Sequence, residues 1–305
     1  MSRKSRTAAI AAIICLTAAL LSSCGGKTPG ETPGRTTAQA TTADPHAGMV
    51  QVHSWTGGEI WVKLYEDVPV NPYDKDKFVR DGEAGSFTYY EDPAFKTFQC
   101  VDISEHNGDI DWEKVASSGV THAYIRAGYR GWGSAGNIKT DSAFSLNYSR
   151  AKAAGLKTGV YFYSQATNAE EAAQEAAYVL DLVKDSPPDL PMIFDWENMG
   201  DDEPSARTAN VSGRTLTDCA KSFCETVKAA GLTPGIYYYR DLAYNAYILD
   251  ELTDYFAWVS EPGDSPWFYY AFDMWQYTFE GKVDGIPGKV DLSLIFEAAF
   301  PEGDG

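Results

Sequence analysis

An α/β fold, an irregular TIM-like barrel of about five βα units followed by three β-strands, is what three features of this sequence predict. From about residue 97 onward, apolar β-rich runs alternate with amphipathic helical ones. The last three strand-like runs follow one another with connections too short for ordinary helices, and acids stand at the ends of several runs. Alternating βα units lay parallel strands side by side with helices outside, and eight such strands close into a barrel.

The chain opens with MSRKSRTAAIAAIICLTAALLSSC: a basic stretch (Arg3, Lys4, Arg6), an apolar run short for a membrane span, and small residues before a cysteine. Residues 1–23 read as an export signal peptide. Leu21, Ser22, Ser23 and Cys24 resemble the bacterial lipobox, whose cysteine receives lipid and becomes the mature N-terminus, and two acyl chains anchor firmly. The expected location is extracytoplasmic, as a membrane-anchored lipoprotein at the cell surface; the alternative is secretion after ordinary signal cleavage. Residues 24–49, rich in Gly, Thr, Pro and Ala without an apolar period, have nothing to bury and read as a lipidated flexible linker. Residues 50–96, with IWVKLYEDVPV and GSFTYYED, read as a small β-rich N-terminal appendage. If it only bridges linker and barrel, a chain beginning near Phe98 is expected to stay soluble and active.

Residues 97–305 carry the barrel. FQCVDIS precedes a helix around WEKVASSG, HAYIRAG one around SAFSLNYSRAKAAG, and KTGVYFYS one at EEAAQEAAYVLDLVK. PMIFDWE precedes TLTDCAKSFCETVKAAG, and TPGIYYY a short helix near AYNAYILDEL. YFAWVS, FDMWQYT and VDLSLI then follow as strands.

The chain holds 25 basic against 43 acidic residues, a formal net charge of −18. The signal removes basic residues and no acids, so the mature chain is more acidic still. Such a body repels phosphate backbones and anionic lipid, which excludes nucleic-acid partners and leaves the lipid anchor as the sole membrane contact. Cys219 and Cys224 lie five apart on a helix, about 8.6 Å between Cα atoms and beyond disulfide reach. Together with Cys100 they read as buried free thiols. No Cys/His cluster has zinc spacing, so no metal and no cofactor is expected. His106, the histidine nearest a motif, reads as a surface loop residue. GWGSAG (131–136) matches G-x-G-x-x-G but lacks the strand-turn-helix context, and reads as a flexible loop over the cleft.

In PMIFDWENMG, Asp195 and Glu197 share one strand face, about 6.6 Å apart at Cα. Two acids on one face repel, and a cleft can use the raised proton affinity of one of them. In βα barrels the active site lies at the C-terminal strand ends. Asp102 ends the first strand, Asp195 and Glu197 the fourth, and Asp291 lies on the eighth, so four carboxylates converge on one rim. Glycoside cleavage needs a proton for a poor leaving group and negative charge beneath an oxocarbenium-like centre, which such a set supplies. Tyr161 and Tyr163, Tyr237 and Tyr239, and Trp275 and Tyr277 share strand faces by period two, and rings at a barrel mouth stack on sugars. Of these, Tyr161, Tyr163, Tyr237, Trp275 and Tyr277 are the expected substrate-binding residues.

VDISEHNGDIDW, HAYIRAGY, the spaced Asp141, Phe144 and Asn147 before AKAAGLKTGVYFYS, FDWE, and WQYTFEGKVDGIPGKVDLS together resemble family 25 of the glycoside hydrolases, the Ch-type lysozymes. The resemblance covers roughly residues 97–297. It implies a muramidase that cleaves the β-1,4 bond between N-acetylmuramic acid and N-acetylglucosamine in peptidoglycan. It also implies Glu197 as general acid, Asp195 as its partner, and Asp102 and Asp291 as active-site carboxylates. Peptidoglycan glycan strands are then the partner, met by a monomer. The sequence departs from the family pattern at Asn107, Trp196 and Ser293, none of which is a carboxylate. A barrel chitinase would need acids where Leu190 and Ile193 stand. The remaining alternative is a catalytically silent peptidoglycan-binding lipoprotein on the same barrel. Because Asp195 and Glu197 leave one strand on one face, the expected chemistry is substrate assistance with retention of configuration.

Overall fold

Strands that are apolar on both faces need cover on both, and the computed structural model supplies it by closing them into a barrel. The structure describes residues 44–54, 57–81, 87–199 and 203–299. The expected signal, Cys24 and the linker up to residue 43 lie outside the described residues. Residues from Pro45 onward group as one compact unit.

In chain order, β1 (Met49–His53) pairs antiparallel with β2 (Glu59–Lys63), and β3 (Phe78–Arg80) with β4 (Thr88–Tyr90). There follow β5 (Phe95–Ile103), α1 (Trp112–Ser117), β6 (His122–Arg130), β7 (Ile138–Thr140), α2 (Phe144–Ala153), β8 (Lys157–Ser164) and α3 (Ala169–Val183). The chain continues through β9 (Met192–Trp196), α4 (Gly213–Ala229), β10 (Pro234–Tyr239), α5 (Arg240–Asn245), β11 (Phe256–Ser260), β12 (Met274–Gly281) and β13 (Val290–Ala298). The closed barrel runs β5-β6-β8-β9-β10-β11-β12-β13 and back to β5. Its strands are parallel from β5 to β12, and β13 is antiparallel to both of its neighbours.

The α/β barrel is therefore present, but not as five regular βα units. Strand β7 folds back on β6 before α2 begins, α1 and α5 have 6 residues each, and β13 reverses direction. The two long helices follow from local chemistry. In α3, Asn168 caps the Glu171 N–H, Glu170 and Glu171 occupy the positive N-terminal turn, and Ala172, Ala176, Val179 and Val183 form the buried stripe. In α4, Ser212 caps Thr215, and Leu216, Ala220, Phe223 and Val227 face the sheet. Cys100, Cys219 and Cys224 are free and buried, as their spacing predicts.

Inside the barrel, Cys100, Tyr124, Ile193, Tyr237, Trp258, Met274 and Ile295 pack as one cluster that plugs the bore. Tyr124 lies 4.9 Å from Trp258, centroid to centroid, and its ring takes the space beside Gly159, where a Cβ would fall 2.2 Å from Tyr124 Cε1. The plug leaves the carboxylates as the lining of the mouth above it.

Outside the barrel, helices cover only part of the wall, and the described residues between 45 and 94 cover strands that lack them. Tyr73 stacks on Phe296 at 4.0 Å and donates to the Phe272 carbonyl at 3.0 Å. Phe78 meets Trp275 edge-on at 5.1 Å. Gln99 of β5 donates to the Thr88 carbonyl at 2.6 Å and accepts from the Tyr277 hydroxyl at 2.8 Å. Val52, Val62, Tyr65, Tyr73 and Tyr90 belong to the same hydrophobic cluster as the outer faces of the barrel strands.

Candidate active site

Strand ends bring the four carboxylates to one place. Asp291 on β13 is in direct register with Asp102 on β5, because β13 closes the barrel antiparallel against the first strand. Asp195 on β9 is in register with Tyr163 on one side and Tyr237 on the other. Glu197 is the first residue beyond β9. All four line a cavity of about 140 Å³ at the barrel mouth, together with Tyr161, Tyr163 and Tyr237.

Three further lining residues were not singled out from sequence: Arg126, Trp258 and Gln276. Gln276 donates to Asp102 Oδ2 at 2.9 Å and accepts from the Tyr237 hydroxyl at 2.9 Å, which fixes the orientation of its amide. Arg126 donates through Nε to Asp141 at 2.8 Å and through Nη2 to Glu105 at 3.3 Å. Asp141 and Glu105, both within motifs quoted above, thus hold the cation that faces the acids. The signal for Arg126 is its parity with Tyr124 on β6, a charged residue on an inward face.

Trp275 and Tyr277 do not reach the mouth. Gln276 between them points into the barrel, so both rings point outward, 0% and 1% exposed beneath Phe78 and Thr88. Period two correctly placed them on one face, and it was the covered outer one. The 131–137 loop is not slack either. Arg130 donates to the Gly136 carbonyl at 2.8 Å, the Arg207 N–H donates to the Trp132 carbonyl at 3.0 Å, and Arg130 is itself paired with buried Glu175. His106 lies in a short turn after β5, its N–H donating to Ser104 Oγ, and is not among the cavity's lining residues. The departures from the family pattern are structural. Asn107 accepts from the Ser104 N–H, the Trp196 indole donates to the Ala166 carbonyl, and Ser293 accepts from the Trp258 indole.

The acids share one electrostatic problem. Burial raises the pKa of Asp102 well above the usual range, and Asp291 and Glu197 raise it further, against the Gln276 hydrogen bond. Burial, then Glu197 and Asp102, raise Asp195, while Arg126 opposes. Burial raises Glu197; the Tyr163 hydroxyl counters this and Asp291 adds to it. Burial pushes Asp291 up to about 6. The cavity therefore holds protons at a pH where surface carboxylates have lost them. Asp195 is 6% exposed, and its Oδ1 has no hydrogen-bond partner among the described residues.

A stability prediction follows from Asp291. Its pKa is 3.8 in the unfolded reference and about 6 in the fold, so its contribution to stability is complete below pH ~4 and is lost as pH rises through ~6. The loss amounts to at most roughly 3 kcal/mol, reduced by solvent screening because the residue is partly exposed. Asp291→Asn should melt higher than the parent at pH 8 and level with it at pH 4 by scanning fluorimetry. A melting difference independent of pH would refute the assignment.

The family model described as Glycosyl hydrolases family 25 matches residues 101–286. The autolytic lysozyme of Clostridium acetobutylicum is 28% identical over 204 residues, covering 67% of this chain and 57% of its own length. Lysozyme M1 of Streptomyces globisporus is 28% identical over 205 residues, covering 63% of this chain and 66% of its own. The modular autolysin LytC of Streptococcus pneumoniae, solved in complex with a synthetic peptidoglycan ligand, superposes with a TM-score of 0.59 at 25% identity, covering 82% of this chain and 57% of that one. The chain thus spans little more than half the length of the clostridial and pneumococcal proteins.

Proposed function

The chain belongs to family 25 of the glycosyl hydrolases, and on that premise we propose that it is a muramidase cleaving the β-1,4 bond between N-acetylmuramic acid and N-acetylglucosamine in peptidoglycan. The observation that carries this reading is the convergence of Asp102, Asp195, Glu197 and Asp291 on one cavity at the mouth of the barrel.

Glu197 is the general acid. Its raised pKa keeps a proton available for the glycosidic oxygen, and the Tyr163 hydroxyl beside it steadies the carboxylate once the proton has left. Arg126 opposes the burial and the neighbouring acids that raise Asp195, and the partnerless Asp195 Oδ1 accepts the N–H of the substrate's 2-acetamido group. The acetamido oxygen then attacks the anomeric carbon as the leaving oxygen takes the Glu197 proton. Water, deprotonated by Glu197, opens the resulting cyclic intermediate and restores the acid. Asp291, whose pKa of about 6 leaves it ionised at neutral pH, supplies negative potential beneath the developing positive charge, and Gln276 orients Asp102 beside it.

Two displacements at one carbon give net retention. NMR of the first-formed anomer, on a glycan that parent enzyme cleaves, is expected to show the β product, with no cleavage where the N-acetyl group is removed from the scissile sugar. An α product would remove the acetamido pathway and make Asp102 or Asp291 the base that activates water.

A further inference from the structure

We propose that the glycan-binding surface continues from the carboxylate cavity past Phe279 to Trp267, a trough for the leaving-group side of a long β-1,4-linked N-acetylhexosamine chain, with its far end fastened by the N-terminal segment. This rests on the muramidase reading.

A second cavity of about 300 Å³ adjoins the first, and Glu197 and Tyr237 line both. The general acid must reach the oxygen between two sugars, so Glu197, which lines both cavities, marks the scissile bond. The sugar that becomes positively charged occupies the side with Asp102, Asp195 and Asp291, and the departing sugar occupies the side with Phe279, Arg240 and Asp241. A third opening of about 560 Å³ follows, bounded by Glu261, the 262–265 loop and Trp267, and Arg240 lines both it and the second.

Phe279 is 46% exposed and Trp267 44%, rings of the size that stack on pyranose faces, one in each successive opening. Trp267 is held rather than loose. Its N–H and that of Phe268 donate to Glu261 Oε2 at 2.9 and 2.8 Å, and the other Glu261 oxygen pairs with buried Arg240. The N-terminal segment secures the same loop from the side. Lys75 Nζ covers one face of the Trp267 ring 3.3 Å from its centre, His53 packs against the ring with centroids 4.0 Å apart, and Arg80 donates to the Gly263 carbonyl at 3.4 Å, so sugar meets the part of the ring left exposed. A platform fixed before binding loses little freedom when sugar arrives.

The test compares long glycan strands with the shortest oligosaccharide that the full chain cleaves. Trp267→Ala is expected to lower the ratio of kcat/KM on long strands to that on the short substrate by about tenfold or more, mainly through KM, the worth of one stacked ring. Trp267→Phe should restore most of that ratio. Calorimetric titration of long strands should show a matching loss of affinity when Trp267→Ala is added to Glu197→Gln, and this arm does not depend on cleavage. An unchanged ratio and unchanged affinity would overturn the trough. Absence of any glycan cleavage by the parent would overturn the muramidase reading instead, and the calorimetric arm would still decide the trough.

Discussion

Glu197→Gln is expected to lose several orders of magnitude in the rate of peptidoglycan cleavage while folding as the parent does. Transfer of a proton by a positioned side chain is typically worth about 10² to 10⁴ in rate, and here one group serves both steps. Glutamine keeps the size and polarity of the side chain but has no proton to give at the required acidity. It also removes an acid whose ionisation the cavity resists, since burial and Asp291 both raise the Glu197 pKa. The variant should therefore melt no lower than the parent at pH 7. Clearing of a wall suspension measures the rate, and circular dichroism with thermal melting checks the fold. Activity within threefold of the parent would remove Glu197 from the acid's role.

A chain beginning at Phe95, without residues 45–94, is expected to fail to fold stably. Its loss would uncover Trp275, Tyr277, Phe272 and Phe296, all buried against that segment or its neighbours. Burial of one large apolar side chain contributes about 1.5 to 3 kcal/mol, so several together approach the whole stability of a domain, about 5 to 15 kcal/mol. Starting at Phe98 instead would also cut into β5, the strand that closes the barrel against β13 and β6. The expected result is aggregation, or a broad melt without cooperative unfolding. A soluble chain with the parent's melting temperature would show that the segment is an ornament. The contacts of this segment argue against a mere bridge, and neither the bareness of the barrel's outer wall nor the tyrosines that cover it can be seen in a local pattern.

Much of the site was legible because its residues obey local rules. Asp195 and Glu197 lie two apart at a strand end, Asp102 closes an apolar run, and strand ends in such barrels meet at one rim. Tyr161, Tyr163 and Tyr237 were found by the same alternation. The alternation misled at β12, where both parities are buried from Met274 to Tyr277 and the apolar one, Trp275 and Tyr277, is the outer one. Only the register of β12 against β11 and β13 turns Gln276 toward Asp102 and the two rings toward Phe78 and Gln99.

By itself the sequence determined the order of the eight barrel strands and of the helices between them, the acids available for chemistry and their places near strand ends, since these depend on side-chain period and on neighbours within a few residues. The tertiary structure decided the rest. It paired Asp102 with Asp291 across the closure, set Arg126 opposite Asp195 through Asp141 and Glu105, and placed the N-terminal segment over strands that lack helices. Each of these joins residues far apart in the chain, and their electrostatic and packing energies exist only once the barrel has closed around them.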